Sequence, residues 1–173
     1  MNKDLIVNSV RIIILILFQV LILRDINFEQ NTSKYFNIII YQLGIMLLPL
    51  NLPTFIVFLV AFFSGLIVDS FYGSIGVHAS ACLWMAAIRT FVLKLLEPKS
   101  GYAITQKPNS NHLGMVWFLQ YSAILCFVYL FIYFTLDEFT WVYIGTIMLK
   151  TICSFAISIV LIFLIQLLIN FKD

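Results

Sequence analysis

The chain has 173 residues and only 18 formal charges, ten Lys plus Arg and eight Asp plus Glu, while 62% of it is apolar. Mean hydropathy is +1.05, and a water-soluble fold of this size leaves about 30% of its chain surface exposed, too much to hide such a composition. These figures exclude a soluble enzyme, a disordered regulator and a nucleic-acid binder, and leave an all-α integral membrane protein, a single multi-pass domain over residues 1–173.

Six apolar segments are predicted in chain order. The first, Leu5–Leu23, follows Lys3 and contains Arg11. It ends in Leu23-Arg24-Asp25 with no small-x-small cleavage signal, so it is expected to stay as an uncleaved first span. It is built from Ile, Leu and Val without Gly or Ala, which points its surface at lipid or a bulky groove. The second segment, Tyr35–Leu48, is short at about 14 residues against the 20 a helix needs to cross. Pro49-Leu50-Asn51-Leu52-Pro53 then turns the chain, because proline stops a helix interior but suits a first turn. The third segment is Thr54–Phe71, and Gly73 and Gly76 bracket the next turn, where a positive φ is expected. The fourth is Val77–Leu96, and a loop with Gly101 and Pro108 follows it. Met115–Leu136 and Met148–Phe171 complete the set, with Trp141–Ile147 expected at the interface or as an extension of the last. The spacing is helical or continuous, never a strict two-residue alternation, so helices rather than a β-barrel are expected.

Lys and Arg favour the side holding both termini. Lys3, Arg11, Lys94, Lys99, Lys107 and Lys172 fall there, against Arg24, Lys34 and Lys150 on the other side with Asp137, Glu138 and Glu29. The expected orientation is N-terminus and C-terminus cytoplasmic. Trp141, Tyr143 and Tyr72 are expected as outer belt residues, Tyr102 and Trp117 as inner ones.

Ionisable groups at membrane depth cost several kcal/mol and face protein, water or partners. Three fall in the third and fourth segments. Asp69 is expected to staple the turn, paired with His78, with the free amides opening the fourth helix, or with both. His78, Cys82, Met85 and Arg89 recur at i, i+4, i+7 and i+11, so they share one face, with His78 and Arg89 about 16 Å apart. Arg89 therefore needs its own partner: the cytoplasmic surface, a buried carbonyl, or Gln42, Gln120 or Gln166. The trio reads more readily as fold-locking hydrogen bonds than as a proton relay or ligand site. Two isolated histidines give no metal-ligand spacing. Lys150, Ser154 and Ser158 share a face, the nearest imitation of a serine–lysine protease pair, and read instead as a packing stripe. Cys82, Cys126 and Cys153 read as small packing residues. Ala61-x-x-x-Gly65 forms a small-xxx-small pair that lets helices approach closely.

The stretch Gly65-Leu-Ile-Val-Asp69, then Gly76-Val-His78-Ala79, then Ala86-Ala87-Ile-Arg89, preceded by the Leu48–Pro53 hairpin, resembles the central motif of the MreD family of rod-shape-determining proteins. The resemblance covers nearly the whole chain, and its distinctive part is the spacing of Gly65, Asp69, Gly76, His78 and Arg89. It implies a non-catalytic scaffold subunit of the bacterial cell-elongation machinery in the inner membrane, supporting lateral peptidoglycan synthesis and rod shape without cofactor or metal. It implies MreC as partner, with MreB, RodA and its partner penicillin-binding transpeptidase. The segment pattern is also similar to the six-helix substrate-binding subunits of energy-coupling-factor vitamin transporters. Those dock through an alanine-rich first helix, which is missing here.

Overall fold

The computed structural model describes residues 2–25, 37–99, 101–103, 106–139 and 141–170. All regular structure among them is helical. Helix α1 (Asn2–Phe18) continues into a π turn, Gln19–Leu23. A five-residue helix α2 (Gln42–Met46) follows. Helices α3 (Thr54–Tyr72) and α4 (Val77–Leu95) form a hairpin. The short α5 (Ser110–Leu113) leads into α6 (Met115–Glu138). A 3-10 turn at Trp141–Tyr143 runs directly into α7 (Ile144–Asn170), so the stretch after Trp141 extends the last helix. Lys34, Glu29, Lys172 and the expected segment bounds Tyr35 and Phe171 lie outside the described residues.

Among the described residues, four stretches are long and apolar enough to cross a membrane: Ile6–Leu23, Thr54–Tyr72, Met115–Glu138 and Ile144–Leu168. Helix α4 is 19 residues long but carries His78, Arg89 and Lys94, which lower its apolarity. It packs between α3 and α6, and α6 in turn packs on α7. Outward faces are apolar: Ile13 and Ile14 of α1, Leu21 of the π turn, and Phe55 and Phe63 of α3 are each more than half exposed. An exposed apolar surface of this extent is consistent with a membrane protein.

The second apolar segment differs from expectation. It is not a spanning helix. Residues 37–40 have no regular structure, and only Gln42–Met46 is helical. The run Ile38-Ile39-Ile40 is β-branched and stiff at χ1, which favours an extended backbone. Pro49 ends the short helix, and Leu48 N–H still reaches the Ile45 carbonyl. Every residue from Ile39 to Leu48 is buried. The segment threads the bundle from the α3–α4 hairpin end, beside Gln19 and Ser154, to the opposite end, beside Arg89 and Tyr121. Gly44 lets α1 press on it: a Cβ there would stand 2.9 Å from the Ile12 side chain.

Buried backbone without a helix needs partners. Side chains of the surrounding helices supply them. The Gln19 amide donates to the Ile38 carbonyl at 2.9 Å and accepts from Ile40 N–H at 2.8 Å. The Ser154 hydroxyl accepts from Asn37 N–H at 2.9 Å and that of Ser158 from Ile39 N–H at 3.3 Å. Gln42 turns its own amide back to the Ile39 carbonyl at 3.2 Å. Thus Ser154 and Ser158 hold main chain, whereas Lys150 pairs with Glu138.

Candidate functional site

The residues that carry the motif lie on the α3–α4 hairpin. Gly73 (φ 68°) ends α3 and Gly76 (φ 79°) begins α4, both in the left-handed region where a Cβ is disfavoured. Gly76 occupies the N-cap of α4 and has no side chain to cap it. Asp69 does so from the preceding helix. Its carboxylate accepts from His78 N–H at 3.0 Å and Ala79 N–H at 2.9 Å, and also from the Ser74 hydroxyl. These are the second and third amides of α4, the donors an ordinary N-cap side chain would take. The buried carboxylate also lies at the positive end of the α4 dipole. Of the partners expected for Asp69, the structure selects the helix amides; the His78 ring turns elsewhere.

Gly65 makes this cap geometrically possible. It sits one turn before Asp69, and a Cβ on it would fall 2.4 Å from the Ala79 Cα and 2.6 Å from the Ala79 nitrogen. Those are backbone atoms, which cannot swing aside. Gly65→Ala should push the α4 N-terminus away from Asp69 and cost about 1–3 kcal/mol, read as thermal unfolding in detergent. An unchanged melting temperature would show that the contact is slack.

His78, Cys82, Met85 and Arg89 are all buried along the inner face of α4, as their spacing predicts. The His78 ring enters a tyrosine cluster. Its Nδ1 lies 2.7 Å from the Tyr129 hydroxyl, which lies 2.8 Å from that of Tyr41. Tyr41 also contacts the Cys82 sulfur at 3.2 Å. The Tyr72 and Tyr133 rings flank His78 at 5.0 and 4.7 Å between centroids. This cluster binds segment 37–41 to α4 and α6.

Arg89 lies at the other end and takes buried carbonyls, one of its expected kinds of partner, rather than a glutamine. Its Nη2 donates to the Leu48 carbonyl at 2.6 Å and to that of Pro49 at 3.4 Å, and its Nε donates to the Tyr121 hydroxyl at 3.0 Å. Tyr121 passes the interaction on, donating to the Met46 carbonyl at 2.9 Å. Trp117 stacks on Tyr121 and donates to the Leu96 carbonyl, while Tyr102 donates to that of Leu93. Both expected inner belt residues therefore fasten the loop after α4. Partial burial raises the Tyr102 pKa, so its hydroxyl remains a neutral donor. Arg89→Lys should cost about 1–2 kcal/mol in the same unfolding assay, since a point ammonium cannot reproduce the planar fork between Tyr121 and two carbonyls.

The structure thus joins Gly65, Asp69, Gly76 and the His78 main chain in one turn and leaves Arg89 at the far end of the same helix. Gln19, Tyr41, Tyr121, Tyr129, Ser154 and Ser158 complete the polar framework and were not singled out as a set by the sequence. Their signal was indirect: a segment too short to span, and polar side chains in apolar runs with no evident partner. Among the described residues no group of three or more His, Cys, Asp or Glu is placed to hold a metal ion.

Fold and site together define, among the described residues, an all-helical protein with four helices long and apolar enough to span a membrane, organised around a capped hairpin and an embedded non-helical segment. No known protein family, curated protein or solved structure matches the chain.

Proposed function

We propose that this chain is a non-catalytic scaffold subunit of the bacterial cell-elongation machinery, of the MreD type. In this reading it is an inner-membrane protein with both ends cytoplasmic, and it supports lateral peptidoglycan synthesis through MreC, with MreB, RodA and its partner transpeptidase in the same assembly. The chain then crosses the membrane six times, five times as helices and once as the embedded segment around Gln42–Met46. The observation that supports it most is the use made of the motif residues. Asp69 and Arg89 are committed to main-chain amides and carbonyls, and Gly65 to backbone contact. Such a motif serves a rigid shape offered to partners rather than a reaction.

The orientation draws on charge. At the end shared by the start of α1 and the close of α7, Lys3, Arg11, Arg89, Lys94, Lys99 and Lys107 stand against Asp4 and Glu97. At the hairpin end, Arg24 and Lys150 stand against Asp25, Asp69, Asp137 and Glu138. This asymmetry is that of a cytoplasmic and an external face.

One observation favours a second reading, the substrate-binding subunit of a vitamin transporter: transporters build substrate sites from unwound segments at membrane depth. Here Gln19, Ser154, Ser158 and Arg89 already engage that backbone. Co-purification from host membranes separates the two. MreC in the eluate, with rounded cells after depletion, is the expected outcome. Normal rods after clean deletion in a rod-shaped host lacking a second copy would sink the scaffold reading, and a retained vitamin-sized ligand would favour the alternative.

A further inference from the structure

We propose that the two turns at the hairpin end of the bundle dip into the headgroup layer of a lipid bilayer, with Ile75 and Phe139 as lipid-anchoring side chains. Ile75 stands between Ser74 and Gly76 in the α3–α4 turn and is 100% exposed. Phe139 follows α6 and is 88% exposed, with Val142 at 83% on the same turn. Among the described residues, Phe139 is the one non-glycine residue with a positive φ, at 49°. It occupies the C-cap of α6, a place where glycine commonly takes the left-handed conformation. A bulky side chain there carries strain. At its degree of exposure the ring makes little contact within the chain, so nothing in the fold offsets that strain. The contact that suits the ring lies outside the chain.

Helix length and charge fix the layer. The 19 residues of α3 rise about 28 Å, close to the roughly 30 Å of a hydrocarbon core, so Tyr72 at its end meets the boundary. Ile75 comes three residues later. The Tyr133 ring flanks His78, near the start of α4, at 4.7 Å. Phe139 lies six residues beyond Tyr133, a rise of about 9 Å. Both tips thus stand at or just past the boundary, where the headgroups add about 5–8 Å on each side. Asp137, exposed and two residues before Phe139, excludes the hydrocarbon itself. Open water would leave Ile75 and Phe139 without apolar cover. The headgroup layer, wet on one side and apolar on the other, suits both. Tyr143, exposed on the same turn as Phe139, is a residue type that collects there. The inference rests on the placement of these helices in a membrane and is independent of the scaffold reading.

The test uses the full-length protein in phosphatidylcholine liposomes, with a nitroxide label at Ile75→Cys, Phe139→Cys, Phe63→Cys or Lys99→Cys. Each variant also carries Cys153→Ser, which removes the exposed native thiol. Electron paramagnetic resonance compares collisions with oxygen, which concentrates in hydrocarbon, and with a water-soluble nickel chelate. Phe63, midway along α3 and more than half exposed, reports the hydrocarbon, and the exposed Lys99 in the loop after α4 reports water. Labels at 75 and 139 should fall between these references, with fewer nickel collisions than at 99. Nickel access equal to that at 99 would place the tips in water and overturn the proposal, as would a depth equal to that at 63. A label at 63 as open to nickel as the one at 99 would overturn the membrane placement itself. In detergent, Phe139→Gly should hold or raise the melting temperature, since glycine takes the left-handed conformation freely. A lowered melting temperature would show that the ring packs within the fold and overturn its assignment as an anchor.

Discussion

Replacing Asp69 with leucine should lower stability by about 3–6 kcal/mol, because two buried amides of α4 and the Ser74 hydroxyl lose their acceptor. Asp69→Asn should fall between leucine and wild type, at about 1–3 kcal/mol. The asparagine oxygen can still accept on one side, where the native Oδ1 takes Ser74 and His78 N–H, but its NH2 then faces the Ala79 N–H. Thermal unfolding of the two variants in one detergent decides the point. Equal losses would mean that charge, not acceptor geometry, is what the turn needs. Wild-type stability in Asp69→Leu would remove the cap from the account altogether.

The second large effect is expected at Gln19. One amide serves two backbone groups of the embedded segment and also donates to the Tyr72 hydroxyl at 2.8 Å. Gln19→Leu fills similar space, removes the acceptor of the buried Ile40 N–H and takes one donor from the Ile38 carbonyl, a loss of about 2–5 kcal/mol. Ser158→Ala removes a single longer bond and should cost about 1 kcal/mol. Hydrogen exchange gives the sharper reading: protection at residues 38–41 should fall in Gln19→Leu while the middle of α6 keeps its own. Equal behaviour of Gln19→Leu and Ser158→Ala would show that water or neighbouring groups take over the work of the amide.

The helices that obey local rules were legible from the sequence. Thr54 after Pro53, the glycines at 73 and 76, and the start of α4 at Val77 fall where expected, because proline and glycine act on their own backbone. The shared face of His78, Cys82, Met85 and Arg89 was also legible, since helical period alone fixes it. Segment 35–48 was not. Its composition is as apolar as a helix, and what holds residues 37–40 without helical structure is a set of acceptors and donors as distant in sequence as Ser154 and Ser158. For Arg89 the sequence reached the kind of partner, a buried carbonyl, but not which one. The groups taken are the Leu48 and Pro49 carbonyls and the Tyr121 hydroxyl rather than a glutamine, and since every residue carries a carbonyl, residue type does not single these out.

The embedded segment also sets an order for biogenesis. Residues 37–41 leave the ribosome long before α7, yet the hydroxyls that receive the Asn37 and Ile39 amides belong to α7. Until that last helix inserts, these amides lack their final acceptors, and the segment has no settled place in a hydrocarbon interior. A chain truncated after α6 therefore keeps the capped hairpin but not a closed bundle. The burial of the second segment is thus completed by a helix more than a hundred residues further along the chain.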